Sequence, residues 1–293
     1  MEIEVGNRTD VGRKRTHNED YLGFYESPLG KVLAIVADGM GGHASGEIAS
    51  RMAVEIIHEI YSKERADKDV LEALKSAFQV ANFTILQKSL EQEGLSGMGT
   101  TATALVLEGE QAFVGHIGDS RAYLFRDSTV SKLTKDHSLV ERMVDQGLIN
   151  REEANRHPQK NVIYKTLGVN MDGEVDLLGP IPVTIDDIFL LCSDGLTNFV
   201  TDQELSAIVG KESPQRACET LIQLANQRGG HDNITVQILK VGKRKRIFAS
   251  LLNRKKFWLV ISFILFILLL LNGLFLIEPE FLKKLPFISP SNP

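Results

Sequence analysis

Three β-like runs in the middle of the chain constrain the fold most, because the connections between them are too short to contain a helix. The runs cover residues 101–107, 111–117 and 121–125. The connecting stretches LEGEQ (107–111) and HIGDSR (116–121) contain residues that favour turns, and we interpret both as hairpin turns. Strands that follow one another through hairpins pair antiparallel, so the sequence predicts an antiparallel sheet here.

Helical patterns lie between further β-like runs at 21–25, 31–37, 186–192 and 233–239. In two stretches apolar residues recur every three or four positions, which is typical of helices with one side facing a core. The first contains Ile48, Met52, Ile56 and Ile60, and the second contains Leu71, Leu74, Phe78, Ala81 and Ile85. Later helices are predicted to begin at the capping sequences Ser138-x-x-Glu141 and Thr201-x-x-Glu204 and at Ser213-Pro214. Two long helices, an antiparallel meander and further helices indicate an α+β layered domain.

The bulk composition excludes several classes of protein. The chain has 293 residues, 43% of them apolar and 24% charged, which is enough for one large or two small domains. The net charge of −5 gives no indication of a nucleic-acid partner. The cysteines Cys192 and Cys218 are too few for a disulfide framework, and Cys192 lies in an apolar run, as expected for a reduced cytosolic thiol. Acidic residues follow Met1, so we expect no secretory signal.

A run of 21 residues without a charge, 257–277, differs in character from the rest of the chain. As a helix it would cross roughly 30 Å, the thickness of a bilayer core, and a buried globular helix is the alternative. Seven basic residues precede the run and two follow it, which predicts a single-pass protein of the cell membrane with its N-terminal domain in the cytoplasm. The seven are Lys243, Arg244, Lys245, Arg246, Arg254, Lys255 and Lys256, and the two are Lys283 and Lys284. The predicted segments are a folded domain (1–241), a basic juxtamembrane linker (242–256), the transmembrane helix and a short extracytoplasmic tail (278–293).

Acidic residues stand at the ends of several apolar runs. They are Asp38, Asp119 and Asp194, which follow a run, and Glu19, Asp20 and Asp232, which precede one. Aspartate is an ordinary turn residue, so each one alone has a structural explanation. Strand ends at one edge of a layered sheet can converge, however, and converging carboxylates repel one another unless cations bind between them. Oxygen ligands favour Mg²⁺ or Mn²⁺ over Zn²⁺. We interpret Asp38 as able to bridge two metals, and Gly39 as a tight-turn residue whose uncovered carbonyl can be a further ligand.

Seven motifs resemble, in order, the signature set of the type 2C metal-dependent serine/threonine protein phosphatases (PPM family), in particular of its bacterial branch. They are Arg15-x-x-x-Glu19-Asp20, VADGMGGHASGEIAS (36–50), GMGTTATAL (97–105), GDSRAYL (118–124), LTKDHSL (133–139), LLCSDGLT (190–197) and GGHDNIT (229–235). The resemblance covers about residues 1–241 and identifies them as a phosphatase catalytic domain. It implies a four-layer αββα sandwich of two antiparallel sheets flanked by helix pairs, to which the C-terminal transmembrane helix is added.

The resemblance also implies roles for the acidic residues. Asp38 resembles the residue that bridges two metals, and the carbonyl of Gly39 resembles a ligand of the first. Asp194 and Asp232 resemble ligands of the second metal. Asp119 matches the position that binds a third metal together with Asp194. The implied cofactors are therefore two Mn²⁺ or Mg²⁺ ions per site, with a third.

Three further features match the family. Glu19 and Asp20 would hold metal-bound waters. Arg15 matches the arginine that binds phosphate, and its planar guanidinium suits phosphate oxygens. Residues 137–165 resemble a mobile flap beside the cleft that helps to choose substrates, although a solvated helical excursion explains their mixed charges equally well.

The implied reaction is the hydrolysis of phosphoserine and phosphothreonine by a metal-bridged hydroxide, without a phosphoenzyme intermediate. Neither cysteine has an arginine six positions later, as a cysteine-based phosphatase needs. The general acid stays open, because Met40 stands where animal members have a histidine. The candidates are His43, for which a supporting role beside the site is the alternative, and a water on the third metal, which would make Asp119 catalytic together with Arg15 and Asp38.

The resemblance thus implies a membrane-tethered phosphatase that acts on phosphoserine and phosphothreonine proteins and reverses a bacterial membrane Ser/Thr kinase. A catalytically weak relative that binds phosphoproteins is the alternative. Such a protein would be expected to have lost a metal ligand, and none is missing from this sequence. A phosphatase for a different kind of phosphoprotein, as found fused to regulatory domains, is a third possibility.

Overall fold

Two antiparallel sheets lie face to face in the computed structural model, which describes residues 1–28, 30–41, 44–63, 69–171, 173–243, 258–259 and 261–268. The first sheet contains, in spatial order, β1 (Glu2–Asp10), β11 (Ile234–Gly242), β10 (Ile188–Cys192), β7 (Arg121–Arg126) and β8 (Thr129–Lys132). The second contains β2 (Asp20–Glu26), β3 (Val32–Met40), β5 (Ala102–Glu108), β6 (Gln111–Ile117) and β9 (Asp176–Pro182), and the short β4 (Gly99–Thr100) pairs with the end of β3. Neighbouring strands in both sheets pair antiparallel.

Helices cover the outer face of each sheet. The second sheet carries α1 (Ala44–Lys63) and α2 (Val70–Glu91), and the first carries α5 (Asp194–Thr197), α6 (Asp202–Val209) and α7 (Pro214–Gln227). The segment between β8 and β9 contains α3 (Leu139–Asp145) and α4 (Arg151–Arg156), and a 3₁₀ turn covers Glu93–Leu95. The domain is therefore α+β, as the sequence pattern predicts, and it has the four-layer αββα sandwich that the family resemblance implies.

Strand β3 shows why the central strands have continuous apolar runs. Alternate residues Leu33, Ile35 and Ala37 pack with α1 and α2, and the residues between them face the first sheet. Because successive side chains point to opposite faces of a strand, a strand covered on both faces must be apolar at every position.

The two predicted helical stripes agree with the packing to different degrees. In α2 the predicted residues Leu74, Phe78, Ala81 and Ile85 are fully buried, and Leu71 is partly buried. In α1 the predicted residues Ile48, Met52, Ile56 and Ile60 are only partly buried, and the fully buried line of Ala49, Ala53 and Ile57 lies one position later. The difference arises because two alanines face the sheet, and alanine contributes little to a hydrophobic pattern.

The predicted hairpin at 116–121 is wrong. Strand β6 belongs to the second sheet and β7 to the first, so residues 118–120 carry the chain from one sheet to the other. Gly118 has a φ of +108°, a value that residues other than glycine rarely adopt. The other predicted hairpin is correct, since Glu108 pairs with Gln111 at the turn between β5 and β6.

The predicted helix starts are present, with differences in detail. Thr201 and Glu204 form a complete capping box. Ser138 caps α3 through its side chain, but the box is incomplete because the Glu141 carboxylate binds Arg151 instead. Ser213 occupies the N-cap of α7 without a side-chain hydrogen bond.

Most of the predicted transmembrane run lies outside the described residues, as do the linker from residue 244 onwards and the tail 278–293. Residues 258–259 and 261–268 are helical. Within the described ranges, none of the helices has both the length and the apolar character that a membrane crossing requires.

Candidate metal centre

The pairing of β2 with β3 brings Asp20 and Asp38 together, because these residues stand opposite each other in the register. The amide of Asp38 donates to Thr101 Oγ1 at 2.9 Å, and the Thr101 amide donates to the Asp38 carbonyl at 2.9 Å. Asp20 is buried, and its Oδ2 accepts a hydrogen bond from Ser193 Oγ at 2.8 Å. Both carboxylates therefore lie at one edge of the second sheet on backbone that is held in place.

The tight turn predicted at Gly39 is wrong, because β3 continues through Asp38 and Gly39 in an extended conformation. The glycine is needed for another reason. A Cβ at position 39 would lie 2.0 Å from the carbonyl oxygen of Gly46 in the first turn of α1. The chain changes direction at Gly41, whose φ is +134°. Gly39 thus allows the strand that carries Asp38 to lie against α1.

Asp194 stands where β10 has ended and α5 begins. Its Oδ2 accepts a hydrogen bond from Asn198 Nδ2 at 3.0 Å, one helical turn later. A Cβ on the following residue, Gly195, would lie 1.9 Å from the carbonyl oxygen of Asn233. This aspartate is therefore packed against the loop that leads into β11 and contains Asp232.

Asp119 lies on the crossover between the two sheets and is 7% exposed. The hydroxyl of its neighbour Ser120 contacts Thr101 Oγ1 at 2.8 Å. Because Thr101 also holds the main chain of Asp38, one threonine supports two of the predicted site residues.

Burial and mutual repulsion raise the pKa of four carboxyl groups, and burial is the largest cause in each case. The pKa of Asp20 rises to about 7 and that of Asp194 to about 6. The pKa values of Asp38 and Asp119 lie well above their ordinary range. For Asp38 the repelling charges are those of Asp20, Asp194, Asp119 and Asp232. We call Asp20, Asp38, Asp119, Asp194 and Asp232 together the acidic cluster.

The acidic cluster fits a divalent cation by its chemistry. Oδ1 of Asp20, of Asp119 and of Asp194 is buried and accepts no hydrogen bond. Such unpaired anionic oxygens are costly unless a cation neutralises them, and hard oxygens suit Mn²⁺ and Mg²⁺. No three His, Cys, Asp or Glu side chains among the described residues already surround one point as a complete ligand set. The fit therefore rests on the unpaired oxygens and on the repulsion within the acidic cluster.

Arg15 lies beside the acidic cluster, on the loop between β1 and β2. Its Nη2 is 3.0 Å from Asp232 Oδ2, and about half of its side chain is exposed. The other oxygen of Asp232, Oδ1, accepts a hydrogen bond from the amide of Asn233 at 2.9 Å. Glu19 follows on the same loop, and its carbonyl accepts a hydrogen bond from the Gly39 amide at 3.1 Å. The structure therefore places both residues next to the acidic cluster.

A cleft of about 770 Å³ adjoins the acidic cluster. Asp119 and Asp194 line one part of it, and residues of α3, α4 and the stretch up to 161 line another. Lys160 reaches across the cleft, where its Nζ donates to Asn198 Oδ1 at 2.8 Å. The segment predicted to be a flap, 137–165, therefore lies beside the site.

The histidines near the site support the backbone. The amide of Gly118 donates to His137 Nδ1 at 3.0 Å, and His137 Nε2 is 3.1 Å from Asp176 Oδ2. His116 is buried, with Nε2 at 3.0 Å from the Lys135 carbonyl. His43, the histidine named as a candidate general acid, lies outside the described residues.

Three residues that hold the aspartates of the acidic cluster in place were not among the predicted site residues. They are Thr101, Asn198 and Asn233. Thr101 and Asn233 lie within motifs of the signature set, and this position is the signal that could have identified them.

Comparisons of sequence agree with this geometry. The family model described as Protein phosphatase 2C matches residues 11–228. The serine/threonine phosphatase stp of Listeria welshimeri is 40% identical over 237 residues, which cover 80% of this chain and 94% of that protein. The protein phosphatase PhpP of Streptococcus pneumoniae is 39% identical over 244 residues, 82% of this chain and 98% of that protein.

Solved structures are similar as well. The serine/threonine phosphatase PstP/Ppp of Mycobacterium tuberculosis matches with a TM-score of 0.75 and 35% identity, over 82% of this chain and 99% of that one. A structure of the PstP catalytic domain in complex with two manganese ions matches with a TM-score of 0.72 and 34% identity, over 82% of this chain and 99% of that one.

Proposed function

Because this chain belongs to the protein phosphatase 2C family, we propose that its acidic cluster binds the Mn²⁺ or Mg²⁺ ions with which it hydrolyses phosphoserine and phosphothreonine. The chain is a metal-dependent serine/threonine protein phosphatase, as its family and its relatives at about 40% identity establish. The observation that carries the cation proposal is the set of buried, unpaired carboxylate oxygens on Asp20, Asp119 and Asp194. The two manganese ions of the PstP catalytic domain support two cations here.

We assign the residues as follows. Asp38 and the Gly39 carbonyl would hold the first cation, and Asp38, Asp194 and Asp232 would hold the second. Glu19 and Asp20 would orient waters at the same edge. Bound divalent cations lower the pKa of water and neutralise charge on a phosphoryl group.

Arg15 binds the phosphate of the substrate, since its guanidinium is exposed at the edge of the acidic cluster and offers paired donors. The reaction needs no covalent intermediate on cysteine. Burial raises the pKa of the Cys192 and Cys218 thiols to about 12, so neither is a ready nucleophile.

The test is hydrolysis of p-nitrophenyl phosphate and of phosphothreonine peptides by residues 1–243, which form a compact unit. We expect activity with Mn²⁺ and none with EDTA. Arg15→Ala should raise KM more than it lowers kcat, and Arg15→Lys should recover part of the loss, because lysine keeps the charge without the paired donors. Full activity in EDTA would contradict the cation proposal.

We further propose that Asp119 and Asp194 hold a third cation. The support is the buried Oδ1 of Asp119, which accepts no hydrogen bond. In titration calorimetry, Asp119→Asn should bind one Mn²⁺ fewer than the wild type while keeping the other two. An unchanged count in this variant would contradict a third site.

The chain outside the catalytic domain leads to a separate proposal. Residues 242–256 would be a basic juxtamembrane linker, 257–277 a transmembrane helix and 278–293 an extracytoplasmic tail, which places a cytoplasmic catalytic domain at the cell membrane. A membrane Ser/Thr kinase would be the enzyme that it opposes. A labelling reagent added outside intact cells should reach a cysteine placed in 278–293 and should not reach one placed in the catalytic domain. The reverse labelling pattern would contradict this topology.

A further inference from the structure

Asn233 stands directly before β11, is 4% exposed and uses every polar group of its side chain. Its Oδ1 accepts a hydrogen bond from the amide of Glu19 at 2.8 Å. Its Nδ2 donates to the carbonyl of Val11 at 2.9 Å and to the carbonyl of His17 at 2.9 Å. One side chain therefore binds both ends of the loop 11–17 and the residue that leads into β2.

The loop that Asn233 closes carries Arg15 near its middle. Residues 13–17 are exposed, so few packing contacts can fix their position. Besides Asn233, the loop is held by hydrogen bonds near its start, where the Arg13 amide donates to the Gly230 carbonyl at 2.7 Å and the Gly12 amide donates to Asp10 Oδ1 at 2.9 Å. On the far side of Arg15, the side chain of Asn233 holds the loop by donating to the carbonyl of His17.

Asn233 also lies next to the other partner of Arg15. Its backbone amide donates to Asp232 Oδ1 at 2.9 Å, and Asp232 Oδ2 lies 3.0 Å from Arg15 Nη2. One residue thus fixes both the orientation of Asp232 and the loop that brings the guanidinium to it.

We propose that Asn233 is a positioning residue for phosphate binding, which holds Arg15 at the edge of the acidic cluster without touching the substrate. The proposal rests on the proposed function, in which Arg15 binds the phosphate. The site requires an amide, because it presents one donor and two acceptors to the side chain, and an ionised aspartate in the same place could not donate to either carbonyl. A guanidinium that is held in place before the substrate arrives loses less conformational entropy when the phosphate binds.

The experiment compares Asn233→Ala, Arg15→Ala and the double variant at saturating Mn²⁺. For p-nitrophenyl phosphate, Asn233→Ala should raise KM roughly tenfold, and the inhibition constant of inorganic phosphate should rise by a similar factor. The double variant should be no weaker in KM than Arg15→Ala alone, because both changes remove the same interaction. The number of bound Mn²⁺ ions should be unchanged, since the backbone contact to Asp232 does not need the side chain.

Gln237 provides the matched control. It is a buried amide on β11 whose Nε2 donates to the Gly23 carbonyl at 3.3 Å, away from the loop 11–17. Gln237→Ala should lower Tm and leave KM unchanged. Hydrogen exchange of residues 11–17 should accelerate in Asn233→Ala and not in the control. If Asn233→Ala does not fold, Asn233→Asp keeps the acceptor for Glu19, loses both donors and should show the same rise in KM.

The outcomes separate the two claims. If Arg15→Ala raises KM and Asn233→Ala does not, the positioning role is overturned and the proposed function stands. Additive losses in the double variant would overturn the positioning role as well. If Arg15→Ala leaves KM unchanged, the assignment of Arg15 itself fails.

Discussion

Two sets of aspartates in this domain differ in how their negative charge is balanced within the fold. Asp136 and Asp187 each bind an arginine through both carboxylate oxygens, with the shorter contacts at 2.6 Å from Arg121 and 2.6 Å from Arg126. Burial alone would raise the pKa of these two carboxyls, but the arginines hold it below its ordinary value. The charge of a structural aspartate is thus balanced inside the fold.

The acidic cluster lacks this internal balance. Of the ion pairs formed by the described residues, the only one that reaches the cluster joins Arg15 to Asp232 at its exposed edge. The pKa values of Asp20, Asp38 and Asp194 are raised by burial and by repulsion from one another. This contrast supports our proposal that a cation from outside the chain neutralises the acidic cluster, and the predictions below test that difference.

The largest effect should follow from Asp38→Asn. Loss of the shared carboxylate should lower kcat with p-nitrophenyl phosphate by roughly a thousandfold or more, because divalent cations contribute several kcal/mol to stabilising the transition state. Asp187→Asn removes a carboxylate that is 1% exposed and belongs to the arginine-paired set. It should keep kcat within about twofold of the wild type, and equal losses in the two variants would remove the distinction.

An effect of intermediate size is expected for the free energy of unfolding, which should depend on pH through His116, a buried histidine with neutral hydrogen-bond partners. Burial, with a smaller contribution from His137, lowers the pKa of His116 to about 4, against the opposing charges of Asp136 and Asp176. The unfolded chain therefore binds the extra proton below pH 6.5 while the folded chain does not, so the free energy of unfolding falls as the pH drops from about 6.5 to 4. His116→Gln should remove about 3 kcal/mol of that fall, measured by urea unfolding across this range. Parallel profiles for variant and wild type would contradict the assignment.

Added Mn²⁺ should stabilise the wild type by about 2.7 kcal/mol at a free concentration of a hundred times Kd, because the ion binds only the folded acidic cluster. Asp38→Asn should lose most of this gain, and Asp187→Asn should retain it. The measurement is Tm or urea unfolding with and without EDTA. A gain that survives in Asp38→Asn would place the ion elsewhere.

The smallest effects should have opposite signs in the two sets. In EDTA at pH 8, Asp187→Asn should destabilise the protein by about 2 kcal/mol, because Arg126 loses its partner. Asp194→Asn should stabilise it by about 1 kcal/mol, since the raised pKa of Asp194 means that its ionised form destabilises the metal-free fold above about pH 6. Destabilisation by both changes would show that the acidic cluster is balanced internally after all.

The fold was predictable where strands are covered on both faces, as β3 is, because burial leaves a continuous apolar run. Strands β1 and β9 were missed, since β1 is largely exposed and β9 contains Pro180 and Pro182. The division into two sheets was not predictable from the pattern either. It depends on the conformation of Gly118, and the sequence of the stretch around it, 116–121, resembles that of a hairpin turn.

The acidic residues of the site were predictable because aspartates beside apolar runs and glycines are visible in one dimension. Their supports were not. The hydrogen bonds of Asn233 to Val11 and Glu19 join residues more than 200 positions apart, and no local pattern indicates them. The role of Gly39 was misread for the same reason, because its close neighbour is the carbonyl of Gly46 in a helix and not a residue of a turn.

Anomalous diffraction at the manganese edge, from crystals of the wild type grown with Mn²⁺, tests the central claim most directly. We predict two strong peaks within coordination distance of the Asp38 carboxylate, one of them also next to Asp194 and Asp232, and no peak at Asp136 or Asp187. Manganese bound only away from Asp38, or no ordered manganese in an active crystal form, would contradict the claim that the acidic cluster is neutralised by divalent cations.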